Sequence, residues 1–336
     1  MKSKAVVFTG KNQVSVQTIE SRSPTDDDVI VRITQSWISN GTEGSYLRGE
    51  RSDGDRAWVP SDPPPYPVVA GYQKVGIVES IGANVTRCQV GDRVFATIGL
   101  VEGMYHWYAG HVSPSVVPQD QIWVIPPDKN PLDYAGMVLA QVGYNGGMRA
   151  PVQPGDPCVV FGDGLVGHWT AQTLSRRGAQ VMLVGRHDDR LAKFADWPGA
   201  ILVNEKKTPW REAIATHYPD HAQVVVDTVG SMDVMEGIVP HMKRFGHLIS
   251  AGFYGTGDAM PLQPPRYREL SIHLVSGWTV ERLEETFQAI TRGDLACAPL
   301  ITHHFSVNDA ADAWELIESK REPVLGVSRN WEPMYG

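Results

Sequence analysis

A glycine-rich segment near the middle of the chain is the clearest candidate for chemistry. It follows an apolar run at 158–161 and opens a stretch typical of a helix. Its residues are Gly162, Asp163, Gly164, Leu165, Val166 and Gly167. In a GxGxxG turn the glycines allow a tight turn, close approach of a pyrophosphate, and close packing of the helix on the strand. Because a helix N-terminus also attracts phosphate, the segment predicts a dinucleotide site.

The end of the next predicted strand indicates which dinucleotide binds. An NAD site usually carries Asp or Glu there, about 20 residues after the glycines, to hold the ribose 2′-hydroxyl. Here that position is Gly185, followed by Arg186. A glycine leaves room for a 2′-phosphate, and a guanidinium can pair with it. Arg190 is a second candidate, and His187 either lies near the adenine or is a solvated surface residue. We therefore predict NADP, with NAD less favoured.

The elements that must position these residues change in type along the chain. Up to about residue 125, short runs rich in β-branched residues are bounded by turn formers, as at 4–8 and 74–81. From about residue 131, apolar strands alternate with helical stretches, which is typical of βαβ units around a parallel sheet. We therefore predict an α/β protein, with a Rossmann-type doubly wound parallel sheet and a separate β-rich domain.

The composition excludes several classes of protein. The 336 residues carry 30 Lys and Arg against 38 Asp and Glu, a net charge of −8, which disfavours a nucleic-acid partner. The three cysteines are far apart and form neither a disulfide framework nor a CxxC pair. No apolar run is long enough to span a membrane, and no signal-peptide pattern is present. We expect a soluble, cytoplasmic protein without a membrane partner.

The whole chain resembles the medium-chain dehydrogenase/reductase superfamily. The resemblance is carried by the strand order, the glycine segment, the GDRV turn at 91–94 and the strand end VDTVG at 226–230. It implies a GroES-like catalytic domain at 1–126, a Rossmann cofactor-binding domain at 127–292, and a segment at 293–336 that returns to the catalytic domain. It also implies cofactor contacts by Thr228, and by Gly252 and Phe253 after the next strand.

The zinc ligands of that superfamily are missing from this sequence. By the resemblance, a liganding histidine corresponds to Tyr72 and a liganding cysteine to Asn40, or to Ser39 if the alignment shifts by one residue. No Cys, His or Glu stands at 138–141, where a third ligand is expected, and the 99–111 segment lacks the cysteines of a structural-zinc lobe. Zinc needs thiolate, imidazole or carboxylate ligands. We therefore predict that no zinc binds.

Two segments are similar to those of one particular subgroup. Residues 38–43 (ISNGTE) and 67–72 (PVVAGY) resemble the ISxGTE and YPxVxGY segments of bacteriochlorophyllide dehydrogenases and their uncharacterised relatives. Those enzymes are taken to oxidise a hydroxyethyl side chain on a chlorin. Because the match covers mainly the N-terminal third of the chain, it indicates membership of the subgroup and not that substrate.

Without a metal, side chains must handle the charge on a substrate oxygen. Thr42 matches the relay hydroxyl of the superfamily, Glu43 can orient it or act as a base, and Tyr72 can donate a hydrogen bond to an oxyanion. Ser39 is a weaker candidate. Each also has a structural interpretation, because Thr42 and Glu43 can simply build a turn and Tyr72 can fill the space of a zinc ion.

An aromatic segment lies at 101–108 and adds candidates for substrate contact. Its residues Tyr105, His106 and Trp107 either wall a substrate pocket or pack against another surface. His111, shortly after this segment, alternates with strand neighbours, and we expect it to be structural.

Together these features predict a zinc-independent, NADP(H)-dependent oxidoreductase that transfers a hydride between nicotinamide and an alcohol or carbonyl of a small molecule. A metal-free alkene reductase of the quinone or enoyl type is the first alternative, because it needs less help at oxygen. A non-catalytic NADPH-binding protein is the second. We also expect a homodimer, joined through an apolar edge strand at 271–276.

Overall fold

The computed structural model describes residues 1–54, 56–254 and 258–331. The chain divides into two compact units, one formed by Met1–Val138 with Ile301–Gly336 and the other by Leu139–Leu300. Both divisions come later in the chain than the expected boundaries after residues 126 and 292. The first is later because the backbone at Gly136 packs against the indole of Trp37 in the first unit. The second is later because Ala296 hydrogen-bonds to Gln172 in a helix of the second unit.

The described residues form twenty strands, nine α-helices and six short 3₁₀ turns. The strands are β1 (Lys2–Gly10), β2 (Gln13–Glu20), β3 (Asp28–Ile38), β4 (Arg51–Asp53), β5 (Arg56–Ala57), β6 (Lys74–Ile81), β7 (Arg93–Ala96), β8 (Gly99–Leu100), β9 (Tyr108–Ala109), β10 (Val112–Ser113), β11 (Ser115–Pro118), β12 (Ile122–Val124), β13 (Pro157–Phe161), β14 (Gln180–Gly185), β15 (Ala200–Asn204), β16 (Ala222–Asp227), β17 (Met242–Ser250), β18 (Ser271–Leu274), β19 (Ile301–Ser306) and β20 (Gly326–Asn330). The α-helices are α1 (Asn40–Leu47), α2 (Met137–Met148), α3 (Leu165–Arg176), α4 (Asp188–Leu191), α5 (Trp210–His217), α6 (Met232–Gly237), α7 (Gln263–Tyr267), α8 (Val280–Arg292) and α9 (Ala310–Ser319). The 3₁₀ turns lie at Gln119–Gln121, Pro131–Asp133, Ala192–Phe194, Val239–His241, Ala298–Leu300 and Val307–Asp309.

The first unit is built on a mostly antiparallel sheet. Its strand order is β12-β7-β6-β3-β20-β19, β11 also pairs with β3, and a second sheet has the order β10-β1-β2. Alternate residues of β3, namely Val29, Val31 and Ile33, enter the core between the strands because strand side chains point to opposite faces. β20 pairs antiparallel with β3, so the C-terminal segment completes this sheet.

The second unit contains a six-stranded parallel sheet with the order β15-β14-β13-β16-β17-β18. Residues of β13 alternate between two apolar cores, Val159 on one face and Cys158 and Val160 on the other. The sheet is therefore buried on both faces, which explains its continuous apolar strands. The strand order reverses between β13 and β16, and ligands of such sheets bind at the carboxyl ends of the strands there. The predicted doubly wound sheet and β-rich domain are confirmed.

β18 is the last strand of the parallel sheet and pairs with β17 on one side. It covers residues 271–274, two fewer than the 271–276 that the sequence suggested. Within the described parts of the chain, no helix is both long enough and apolar enough to cross a membrane.

Candidate functional site

The glycine segment forms the turn between β13 and α3, as predicted. Gly162 has φ of +113°, a conformation that residues with side chains rarely adopt. A Cβ on Gly167 would lie 1.9 Å from the carbonyl oxygen of Gly162, so the helix packs too closely on the turn for any larger residue. Gly164 is the N-cap of α3, and Leu165 and Val166 begin the helix partly exposed. This geometry fits the pyrophosphate of a dinucleotide.

Asp163 fills the space that a side chain at Gly185 would need. A Cβ at Gly185 would lie 2.4 Å from the Cβ and 2.6 Å from Oδ2 of Asp163. That oxygen accepts the backbone N–H of Arg186 at 2.8 Å and of His187 at 2.9 Å. The glycine is needed because another side chain already occupies the space next to it.

The carboxylate of Asp163 is held ionised by these neighbours. Burial alone would raise the pKa of Asp163, but the N–H groups of Arg186 and His187 and the His187 ring outweigh burial and lower it. Nδ1 of His187 lies 2.9 Å from Oδ2, so His187 rests on Asp163 and is not a free surface residue. Oδ2 thus has three donors, and Oδ1 faces Nη1 of Arg190 at 3.4 Å. Little accepting capacity remains for a ribose hydroxyl.

The two arginines predicted to bind a 2′-phosphate differ in their surroundings. The Arg186 side chain is 66% exposed, and its Nε donates to Glu205, just after β15. No described residue accepts a hydrogen bond from the Nη groups of Arg186. The Arg190 side chain is only 22% exposed and faces Asp163. Arg186 is therefore the better placed of the two for an incoming phosphate.

The other predicted cofactor residues lie at the carboxyl ends of the central strands. The hydroxyl of Thr228 donates to the carbonyl of Phe161 at 2.7 Å, which ties the end of β16 to that of β13. A Cβ on Gly252 would lie 2.0 Å from the nitrogen of Gly230, so the loops after β16 and β17 touch. Phe253, which follows, is 60% exposed.

Asp227 fixes these two loops, a role that no sequence motif indicated. Its carboxylate is fully buried and accepts hydrogen bonds from the backbone N–H groups of Val229, Gly230 and Ser231 and from the hydroxyl of Tyr254. Asp227 stands inside the VDTVG segment. That motif marked the segment, but the sequence alone did not reveal the structural role of this carboxylate.

The first unit brings three of the catalytic candidates together. The structure has helix α1 where the sequence also allowed a simple turn, and Ser39 is its N-cap. The hydroxyls of Ser39 and Thr42 lie beside the phenol of Tyr72, close enough to lower its pKa. Burial raises the pKa of Tyr72 to about 12, although the two hydroxyls favour the phenolate. Tyr72 is therefore protonated at neutral pH and can donate a hydrogen bond.

The fourth candidate, Glu43, is buried with both carboxylate oxygens engaged. Oε1 accepts the backbone N–H of Ser39 at 2.8 Å, and Oε2 lies 2.8 Å from Nε2 of His111. A general base needs an oxygen within reach of the substrate proton, so this geometry favours an orienting role. His111, expected to be structural, also has Nδ1 2.8 Å from the hydroxyl of Ser36.

Two buried cations, Lys74 and Arg329, lie in the same unit. Lys74 donates to the carbonyl of Ala109 at 2.9 Å, and burial lowers the pKa of Lys74 to about 7. The guanidinium of Arg329 has no hydrogen-bond partner among the described residues. Burial lowers the pKa of Arg329 to about 10, and the charge of Glu43 opposes that shift. Both residues stand in ordinary strand sequence, so no local pattern indicated them.

In the aromatic segment at 101–108, some side chains pack against each other and one is exposed to solvent. His106 is 9% exposed and stacks on Tyr108, with ring centroids 4.7 Å apart. Tyr105 meets His106 edge-on, with centroids 4.9 Å apart. Trp107 is 64% exposed, so it is the member of the segment best placed to contact a ligand.

Few groups around Tyr72 have the chemistry of zinc ligands. In the described ranges no three His, Cys, Asp or Glu side chains are arranged to hold a metal. Glu43 and His111 are the groups of suitable chemistry near Tyr72, and they hydrogen-bond to each other. Ser39 and Thr42 add two hydroxyls beside the phenol.

Two family models match the chain. The alcohol dehydrogenase GroES-like domain matches residues 25–126, and the zinc-binding dehydrogenase model matches residues 166–292. The first lies in the β-rich unit, and the second begins inside the glycine turn and covers most of the parallel sheet. The predicted GroES-like and Rossmann domains are thus confirmed.

Curated relatives align along nearly the whole chain. The sequence is 25% identical over 324 residues to 2-desacetyl-2-hydroxyethyl bacteriochlorophyllide A dehydrogenase of Cereibacter sphaeroides, covering 94% of each protein. It is 22% identical over 339 residues to D-xylulose reductase of Morganella morganii, covering 93% of this chain and 96% of that protein. These names describe oxidoreductases that act on quite different substrates.

Solved structures share the fold at lower identity. An oxidoreductase/dehydrogenase of unknown specificity from Escherichia coli has a TM-score of 0.85 at 20% identity, covering 98% of this chain and 99% of its own. A protein from Sinorhizobium meliloti bound to NADP has a TM-score of 0.81 at 20% identity, with the same coverage. A short chain alcohol dehydrogenase from Escherichia coli complexed with NADH has a TM-score of 0.82 at 21% identity, again with that coverage. Both cofactors therefore occur on this fold.

Proposed function

Because the chain belongs to the medium-chain dehydrogenase/reductase superfamily of oxidoreductases, we propose that it is a zinc-independent, NADP(H)-dependent enzyme. It transfers a hydride between nicotinamide and an alcohol or carbonyl group of a small molecule. One observation carries the proposal. By the sequence resemblance, Tyr72 corresponds to a zinc-liganding histidine of the superfamily, and its phenol lies beside the hydroxyls of Ser39 and Thr42.

The state of Tyr72 favours carbonyl reduction over alcohol oxidation. A phenol whose pKa is about 12 is protonated at neutral pH, so it can donate to a carbonyl oxygen and then give up its proton as negative charge develops. In the opposite direction the phenol would first have to ionise. The nearby carboxylate of Glu43 opposes that ionisation.

The remaining candidates act on Tyr72 in this proposal. Thr42 is partly exposed and keeps the phenol oriented, as Ser39 does from the other end of the first helical turn. Glu43 fixes Ser39 through the backbone N–H. A base at Glu43 would need a free oxygen, and both of its oxygens have partners.

The second unit supplies the groups that would hold the cofactor. The glycine turn and the N-terminus of α3 fit the pyrophosphate, and Thr228, Gly252 and Phe253 lie at the adjacent strand ends. Glu205 holds Arg186 through Nε and leaves its Nη groups for a 2′-phosphate. When bound, the nicotinamide supplies or accepts the hydride.

The test is NADPH oxidation by the purified protein across aldehydes, ketones and enones. Tyr72→Phe should lower kcat for carbonyl reduction roughly 100-fold, because it removes the proton donor, and should leave NADPH affinity unchanged. Tyr66→Phe is the matched control, since the Tyr66 hydroxyl bonds to backbone carbonyls of Tyr46 and Leu47. Wild-type turnover by Tyr72→Phe would show that the role given to Tyr72 is wrong.

The same assay separates the alternatives. A metal-free alkene reductase would convert an enone to the saturated ketone, and Tyr72 could serve it as a donor to the enone oxygen. A carbonyl reductase would give the allylic alcohol. NADPH binding without oxidation across the whole panel would identify a non-catalytic binding protein.

We also propose a cytoplasmic homodimer without nucleic-acid or membrane partners. β18 lies at the end of the parallel sheet, and Leu274 on it is 78% exposed. Edge strands present N–H and C=O groups that can pair with a second strand. Light scattering at micromolar concentration should give twice the 37.0 kDa of one chain.

A further inference from the structure

A line of buried polar groups extends away from Tyr72. Glu43 is 1% exposed, and His111 and Ser36 are each 0% exposed. The imidazole of His111 lies between the other two, at 2.8 Å from Oε2 of Glu43 and 2.8 Å from Oγ of Ser36. The indole N–H of Trp331 donates to the same Ser36 oxygen at 2.9 Å. Nothing in the proposed chemistry yet requires this imidazole.

The donors and acceptors fix the proton positions along the line. Burial and the charges of Arg329 and Lys74 lower the pKa of His111, so the imidazole is neutral at pH 7 despite the attraction of Glu43. A carboxylate only accepts hydrogen bonds, so Nε2 of His111 must carry the proton and donate it to Glu43. Nδ1 then accepts the hydroxyl hydrogen of Ser36, and Ser36 accepts the hydrogen from Trp331. Every polar group in this line therefore has a hydrogen-bond partner.

The charge of Arg329 shows why the contact between the imidazole and Glu43 matters. The guanidinium nitrogens of Arg329 have no hydrogen-bond partner among the described residues, and the Arg329 charge attracts Glu43. Without the imidazole, the Glu43 carboxylate would keep a single donor, the N–H of Ser39, in a buried site. Such a charge turns towards the nearest cation. Loss of the imidazole should therefore let the Glu43 carboxylate move from Ser39 towards Arg329, whose charge it already feels.

We infer that His111 is a positioning residue for Tyr72. It fixes the Glu43 carboxylate, Glu43 fixes the backbone of the N-cap Ser39, and Ser39, which lies beside the phenol, sets the orientation of that phenol. The inference rests on the proposed role of Tyr72 as the group that meets the substrate oxygen. His111 is 68 positions from Glu43 and lies outside the sequence motifs of the site. The inference gives it a part in the reaction.

The test compares His111→Leu with His111→Gln, alone and combined with Tyr72→Phe. The amide of glutamine can donate to Glu43 and accept from Ser36, whereas leucine can do neither. With NADPH and the fastest carbonyl substrate of the panel, His111→Leu should lower kcat roughly 10- to 100-fold and leave the KM for NADPH unchanged. His111→Gln should stay within roughly fivefold of the wild type. In the Tyr72→Phe background, His111→Leu should cause no further loss.

A merely structural role gives a different result. The inference is overturned if His111→Leu costs as much without the Tyr72 hydroxyl as with it, or if a folded glutamine variant is as impaired as the leucine variant. Circular dichroism and Tm identify a variant that fails to fold, and His111→Gln then carries the comparison.

Crystal structures of the two His111 variants give a readout that needs no turnover. In the leucine variant Glu43 should rotate towards Arg329 and the phenol of Tyr72 should leave its wild-type position, whereas in the glutamine variant both should stay. A Tyr72 phenol displaced by less than about 0.5 Å in the leucine variant overturns the inference whatever the activity. If Tyr72→Phe is fully active but the phenol moves as described, the positioning holds and the proposed function fails.

Discussion

The carboxylate of Asp163 occupies the space that a side chain at Gly185 would need, since a Cβ there would lie 2.6 Å from its Oδ2. In many NAD sites an acidic residue at the end of the second strand provides the negative charge beside the ribose. Here the carboxylate stands in the glycine turn, where its Oδ2 accepts the N–H groups of Arg186 and His187, and the strand end has no side chain that would displace it. The two positions therefore act as a pair.

The first prediction exchanges the members of this pair. Gly185→Asp alone should weaken both NADH and NADPH about tenfold or more, because it displaces Asp163 and distorts the turn. Gly185→Asp combined with Asp163→Gly removes the clash and restores an acidic strand end, so NADH should then bind more tightly than NADPH. Nicotinamide fluorescence titration measures both affinities. A single variant that simply switches preference to NADH would contradict the close contact between the two positions.

Arg186 is predicted to decide between the two cofactors in the wild-type protein. Charge-assisted hydrogen bonds to a phosphate contribute about 1.5–3 kcal/mol, so Arg186→Ala should weaken NADPH roughly 10- to 100-fold. NADH affinity should change little, since it lacks the phosphate. Arg244→Ala is the matched control, because Arg244 forms a similarly exposed ion pair with Glu269 elsewhere in the same unit. Equal losses for both cofactors would refute the assignment.

The proposed role of Tyr72 as proton donor predicts the pH dependence of carbonyl reduction. The phenol stays protonated until the pH approaches about 12, so kcat should remain level from pH 7 to 10 as far as Tyr72 is concerned. The raised pKa of Tyr72 also affects the free energy of unfolding. Above pH 10 the unfolded tyrosine ionises while the folded one does not, so the free energy of unfolding falls as the pH rises further. A kcat that declines with a midpoint near pH 8 would show that another group donates the proton.

Because of Lys74, the free energy of unfolding should rise with pH between pH 7 and 10. Its pKa is about 7 when folded, against an ordinary value of 10.5, so between pH 7 and 10 the unfolded chain binds more protons. The free energy of unfolding should therefore increase by up to about 1.4 kcal/mol per pH unit in that range. Lys74→Met should lose this contribution in urea unfolding experiments, whereas Lys11→Met, on the exposed turn after β1, should keep it. Parallel wild-type and Lys74→Met slopes would mean that Lys74 has an ordinary pKa.

The sequence was informative where the signal is local. Gly162 and Gly167 lie in one short segment between a strand and a helix, and the structure gives each the role that its spacing predicts. Alternating apolar runs likewise predicted the parallel sheet, because burial on both faces leaves a continuous pattern. Helix α1 was not foreseen as a helix, since Gly41 and Gly44 weaken its helical pattern.

The sequence was uninformative where groups distant along the chain meet. Nothing near Gly185 indicates that Asp163 fills the adjacent space, so the glycine was interpreted as room for a phosphate. His111 was assigned by strand alternation alone, because its contact with Glu43 is created only when separate strands and α1 come together. Arg329 and Trp331 reach the same region from the far end of the chain. Such contacts depend on the whole topology and not on any window of residues.

The pairing of β20 with β3 also constrains how the protein is made. Translation proceeds from the N-terminus, so a ribosome that has released 300 residues has delivered the whole of the second unit. The first unit at that moment lacks β19, β20 and the side chains of Arg329 and Trp331. We therefore expect that Leu139–Leu300 can fold during synthesis, whereas the sheet of the first unit stays incomplete until β19 and β20 have been made. On this expectation the unit with the glycine turn folds before the unit that carries Tyr72.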